Sequence, residues 1–122
     1  MISHPTAAEL FEAIAAFQAT PGDPSDPRQV FLARVTDNAR STLAREAEHG
    51  ARLETEALAR LRTLLGQDGE FARLNARLCQ ALHDGTISPR DPALLAHLRA
   101  TAVGHIAIDQ PGYGGLAALG AG

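Results

Sequence analysis

The sequence contains no lysine, no tryptophan, one tyrosine and one cysteine, and these shortages exclude several kinds of structure and function. Cys79 cannot form an internal disulfide, and no CxxC pair is present to support a zinc site. With only four phenylalanines, the core must be built from leucine, isoleucine, valine and alanine, as is typical of packed helices. No uninterrupted apolar run approaches the roughly 20 residues that cross a bilayer, so we expect no membrane partner.

The chain also has no excess of positive charge, because its net charge is −3. All eleven of its basic residues are arginines. A chain of this kind lacks the positive field that nucleic-acid binding requires. The stretch "LHDGTISPRDPALLAHLR" has the outline of a helix-turn-helix, but its second helix begins at Asp91 with an acidic and apolar face. We therefore expect no nucleic-acid partner. The first residues show no secretory signal pattern, so we also expect a soluble, cytoplasmic protein.

Apolar periodicity and capping residues predict about five helices and no strand. Thr6 and Glu9 form a capping box for the first helix, and the Pro-rich stretch "TPGDPSDPRQ" follows as a loop. The second helix begins at Asp26-Pro27 and ends at Gly50 as a C′ residue. The third predicted helix ends at Gly66. The fourth has Asp68 as its N-cap residue and is followed by Gly85, and the fifth runs from Asp91-Pro92 to Asp109.

These patterns predict an all-α protein, a single-domain bundle over residues 1–113 with a flexible Gly-rich tail at 114–122. In the second helix, the stripe that contains Phe31, Val35, Asn38 and Thr42 is expected to face inward. In the fifth, the packing face is expected to consist of Leu95, Leu98, Ala102 and Ile106.

Residues that could perform catalysis are not arranged in a known pattern. No GxSxG, P-loop, GxGxxG or HExxH motif occurs, and the acids pair with arginines at helical spacing, as in Glu56 with Arg60 and Asp37 with Arg40. His97 and His105 lie about 12 Å apart along one helix, too far to share a metal ion. We predict no catalytic residue, no metal site and no cofactor.

One set of polar side chains could nevertheless form a ligand site. If Asn38 is buried it needs a polar partner, and the predicted fifth helix offers donors to a cleft against the second. The candidate ligand-binding residues are Arg34, Asn38, Arg45, His97 and Thr101, and the expected ligand is small and polar or anionic.

Several segments resemble an uncharacterised bacterial family of small all-helical proteins, a domain of unknown function. These segments are "HPTAAELFEAI", "FLARVTDNA", "AREAEHG", "LNARLC" and "LLAHLRATAVGHIAIDQPGY", which together span about residues 4–113. The family pattern carries a lysine and an Asn-Pro-basic-Tyr run near its end. Here His105 stands at the lysine position, and Gln110-Pro111-Gly112-Tyr113 replaces the run.

The resemblance implies a genetic neighbourhood that contains aminoglycoside-phosphotransferase-like kinases and acyl-CoA dehydrogenases. It transfers no catalytic residue. The leading hypothesis is therefore a non-catalytic accessory or regulatory protein that associates with such a kinase or dehydrogenase. The alternatives are a small-ligand binder or minor enzyme that uses the five candidate residues, and a homodimer that closes over an exposed Leu/Ala face.

Overall fold

A computed structural model describes residues 4–120, and within this range it contains five α-helices and no strand. The predicted all-α fold with about five helices is confirmed. The helices are α1 (Ala7–Ala19), α2 (Pro27–Leu65), α3 (Phe71–His83), α4 (Pro92–Asp109) and α5 (Leu116–Gly120). None of these helices is both long and apolar enough to cross a membrane.

Most helix ends lie where short-range signals predicted them. The Thr6 hydroxyl accepts the Glu9 backbone N–H at 3.2 Å, and the Glu9 carboxylate accepts the Thr6 backbone N–H at 2.7 Å. Asp26 and Asp91 each accept backbone N–H groups from the first turn of the helix that follows. Gly66, at φ +62°, follows the last residue of α2 in a left-handed conformation that glycine adopts without strain.

The predicted end of a helix at Gly50 is wrong, because α2 runs without a break through 39 residues. Gly50 is buried and does not have a positive φ, so it lies within the helix and not at its C′ position. A helix-interior glycine costs about 1 kcal/mol relative to alanine. The residues after it, "ARLETEALAR", are strong helix formers with no proline, and they continue the helix. The second and third predicted helices are therefore one.

The chain divides into two compact units, the first ending at Gly50 and the second beginning at Ala51. In the first unit, Ile14 of α1 and Leu43 of α2 are the buried apolar side chains. The expected inward stripe is wrong: Phe31 is 62% exposed, Val35 is 49% exposed, and Asn38 is also exposed. The less exposed side of this part of α2 is the neighbouring line of Leu32, Thr36, Ala39 and Leu43.

The second unit is built around a leucine cluster. Leu61 of α2, Leu74 and Leu78 of α3 and Leu94 of α4 are buried together, and each is at most 3% exposed. Partly buried side chains surround them, among them Leu58, Leu64, Leu65, Leu82 and Ile87. Such an aliphatic core is what the aromatic-poor composition predicted.

In α4, the buried face is not the predicted one. Leu94, His97, Gly104 and Ile108 are buried, whereas Leu95, Leu98 and Ala102 are exposed. Gly104 permits a close approach, because a Cβ atom at this position would lie 3.1 Å from Leu53 Cδ2. The buried line therefore combines Leu94 and Ile108 with one histidine and one glycine, and two leucines face outward.

Two further predictions concern the N-terminal end of α3 and the C-terminal segment of the chain. Asp68 does not cap α3, whose N-cap residue is Glu70; Asp68 instead pairs with Arg62 at 2.7 Å. The predicted flexible tail contains α5, which packs against α4, and Arg99 donates to the carbonyls of Leu119 at 2.8 Å and Ala118 at 3.2 Å. The end of the tail, residues 121–122, lies outside the described residues, and the flexibility of the segment stays a prediction.

Candidate functional site

The five predicted ligand-binding residues are divided between the two units. Arg34, Asn38 and Arg45 lie on the first part of α2, whereas His97 and Thr101 lie on α4. Asn38 is exposed, and its backbone carbonyl accepts a hydrogen bond from the Thr42 hydroxyl at 3.0 Å. Arg45 donates to that same hydroxyl at 3.1 Å. A pocket shared by all five residues stays a prediction.

The structure does bring His97 and Thr101 together, in the second unit. They are one turn apart on α4, and the Thr101 hydroxyl donates to the His97 carbonyl at 2.9 Å. Arg60 of α2 completes the cluster, because its Nη2 atom donates to the Thr101 hydroxyl at 3.4 Å. We call His97, Thr101 and Arg60 the α4 polar cluster.

His97 is the buried polar residue of this cluster, with 4% of its surface exposed. Within the described residues, neither its Nδ1 atom nor Arg60 Nε has a hydrogen-bond partner. Burial lowers the pKa of His97 below its ordinary value, and the positive charge of Arg60 lowers it further. The imidazole is therefore neutral at pH 7, and its protonation would place two positive charges side by side.

A groove lies in the first unit, at the turn between α1 and α2. Its volume is about 460 Å³, a size typical of small-ligand pockets. We call it the α1–α2 groove. Its apolar lining comes from Phe17 at the end of α1, from prolines of the connecting loop, and from Val30 and Ala33 of α2, and its polar lining includes Gln29, Arg34 and Asp37.

Arg34 is the predicted site residue that lines the α1–α2 groove. The neighbouring Asp37 carboxylate accepts from Arg40 Nη1 at 3.0 Å. Among residues 4–120, Arg34 makes no ion pair or hydrogen bond through its side chain. The groove lining therefore contains an arginine whose side chain has no ion pair, an apolar surface, and one carboxylate, that of Asp37, which pairs with Arg40.

A third surface is the outward side of α4, formed by Leu95, Leu98 and Ala102, which we call the α4 face. Leu95 is 50% exposed and Leu98 is 49% exposed, and they lie one turn apart. Because they lie on the same side of one helix, the two leucines form one apolar surface that a partner protein can cover.

Sequence reasoning missed Arg60 and Gln29. Helical spacing predicts an exposed pair of Arg60 with Glu56, but the Glu56 carboxylate accepts from Arg52 at 2.8 Å. Gln29 gave no signal, because its place in the groove depends on how the Pro-rich loop folds back.

Over the described part of the chain, no group of three or more His, Cys, Asp or Glu side chains is placed to hold a metal ion.

Comparison with known proteins identifies a family but no relative of established function. No curated protein and no solved structure matches the sequence. A family model matches residues 23–113, about three quarters of the chain, from the α1–α2 loop to Tyr113 in the segment after α4. Because the match covers most of the sequence, the protein belongs to the family described as "Domain of unknown function (DUF6285)".

Proposed function

We propose that the protein is a non-catalytic, cytoplasmic accessory protein of bacteria that binds a larger enzyme and regulates it. The proposed partner is the phosphotransferase-like kinase or the acyl-CoA dehydrogenase that the sequence resemblance associates with this family. The observation that carries the proposal is the α4 face, with its two half-exposed leucines.

The α4 face suits such a role because its leucines are not needed for the core. Leu94, the neighbour of Leu95, enters the leucine cluster of the second unit, whereas Leu95 and Leu98 do not. Burying one leucine side chain completely contributes roughly 1.5–3 kcal/mol. Two half-exposed leucines on one helix therefore leave substantial apolar surface for a partner to cover.

Co-expression with each proposed enzyme partner tests the assignment. We expect the wild-type protein to co-purify with one of the two enzymes and to change its activity. The double variant Leu95→Glu/Leu98→Glu should lose both effects while its helical circular dichroism is retained. Phe11→Glu/Phe31→Glu is the matched control, because it places the same two negative charges on exposed apolar positions of the first unit. Failure of the wild type to bind or affect either enzyme would refute the proposal.

The same variants also test the alternative that the protein forms a homodimer through the α4 face. Size-exclusion chromatography with light scattering gives the mass of the protein alone. A wild-type dimer that Leu95→Glu/Leu98→Glu converts to a monomer would assign the α4 face to self-association, and the accessory-protein proposal would lose its supporting surface.

A further inference from the structure

The α1–α2 groove combines an apolar lining with an arginine that makes no ion pair within the described residues. Arg34 and Asp37 both line it, but Asp37 is paired with Arg40, which leaves the Arg34 guanidinium without a counter-ion among the described residues. An arginine side chain offers donors in a planar fork that fits a carboxylate, and charge-assisted hydrogen bonds of this kind are the strong ones.

The groove also supplies a place for an apolar body. Phe17, Val30 and Ala33 line it from the two helices, and Pro21 and Pro24 line it from the loop. Val30 is 41% exposed, so apolar surface is open to solvent here. A ligand that covers this surface would gain binding free energy in proportion to the apolar area removed from water.

A second polar side chain with no partner among the described residues, that of Gln29, also lines the groove. The Gln29 side chain is packed against the backbone of Gly22, where a Cβ atom would collide with it. Within residues 4–120 its amide makes no hydrogen bond. Gln29 and Arg34 therefore both offer hydrogen-bond donors to a ligand in the groove.

We propose that the α1–α2 groove is a binding site for a small monocarboxylate with an apolar body. The carboxylate pairs with Arg34 and accepts from Gln29, and the apolar part lies on Phe17, Val30 and Ala33. The site belongs entirely to the first unit and is independent of the α4 face.

Octanoate is a suitable probe, since it has one carboxylate and an apolar chain. Titration followed by ¹H–¹⁵N NMR should give saturable shifts of the amides of residues 17–37. Acetate lacks the chain and octylammonium reverses the charge, so both should bind at least about tenfold more weakly. Absence of saturable octanoate shifts in these residues would overturn the proposal, and so would equal affinity for octylammonium.

Three variants assign the contacts. Arg34→Gln should weaken octanoate binding by about tenfold or more, the loss expected for one charge-assisted contact. Arg28→Gln removes the same charge from the first turn of α2, outside the groove lining, and should leave affinity unchanged. Ala33→Trp keeps Arg34 but fills the groove, and should abolish binding. Equal affinities for Arg34→Gln and Arg28→Gln, or unaltered binding in Ala33→Trp, would refute the assigned site.

Discussion

Leu94 and Leu95 are adjacent leucines on one helix whose alanine variants should differ sharply in stability. Leu94 is 1% exposed and lies within the leucine cluster, while Leu95 is 50% exposed on the α4 face. Truncating a buried leucine to alanine costs about 2–5 kcal/mol, because apolar contact is lost and a cavity remains. At Leu95 no enclosed cavity forms and alanine is the better helix former, so we expect a loss of about 0.5 kcal/mol or less.

Thermal and urea unfolding, followed by the helical circular dichroism signal, measure the difference. We expect the free energies of unfolding of Leu94→Ala and Leu95→Ala to differ by at least about 2 kcal/mol, or about 8 °C in Tm for a protein of this size. Both variants change the same residue type on the same helix, so helix propensity cancels in the comparison.

The sequence pattern alone favours the opposite ranking, because it places Leu95 and not Leu94 on the packing face. Equal losses in the two variants, or a larger loss for Leu95→Ala, would show that the buried face of α4 is assigned wrongly. The α4 face would then no longer be available to a partner.

Three more predictions concern other contacts of α4. Because burial lowers the pKa of His97 below 6.5, the folded state binds fewer protons than the unfolded state as the pH falls below that value. The contribution of His97 to the free energy of unfolding should therefore be constant above about pH 6.5 and decrease below it, toward the pKa of the folded state. His97→Gln should remove this pH dependence, whereas the exposed control His105→Gln should keep it. Gly104→Val should cost about 1–3 kcal/mol through overlap with Leu53, and Leu53→Ala should recover part of the loss in a double-mutant cycle, whereas additive losses would contradict the contact. Arg99→Gln should accelerate amide hydrogen exchange in α5, since it removes the donors to the carbonyls of residues 118 and 119, and unchanged exchange would contradict this role.

Helix boundaries were the most predictable feature, because the interactions that set them are local. Thr6 meets Glu9 within a single turn, and Asp91 meets the backbone N–H groups that directly follow it. Gly50 shows the limit of this reasoning. A glycine ends a helix only where the chain turns into a left-handed conformation, as at Gly66; Gly50 shares the residue type but is buried within α2.

The buried face of α4 was not predictable from hydrophobicity. Two lines of residues run along this helix at nearly the same spacing, and both carry large apolar side chains: Leu94 and Ile108 on the buried line, Leu95 and Leu98 on the exposed one. The true buried line includes His97 and Gly104, which a hydrophobic pattern discounts. Gly104 is buried because Leu53 lies against it, and that contact joins residues far apart in sequence.

The candidate sites depend on which carboxylate each arginine pairs with, and helical spacing does not decide this. Glu56 has an arginine four residues before it and another four residues after it, and the intrinsic preference for an acid N-terminal to its base favours Arg60. The structure pairs Glu56 with Arg52 instead, at 2.8 Å, while Arg60 reaches Thr101 on a different helix. That tertiary contact holds a positive charge beside His97 and thereby makes its protonation unfavourable. In both polar sites, the acid nearest along the helix pairs with a different arginine: Glu56 pairs with Arg52 and not with Arg60, and Asp37 pairs with Arg40 and not with Arg34.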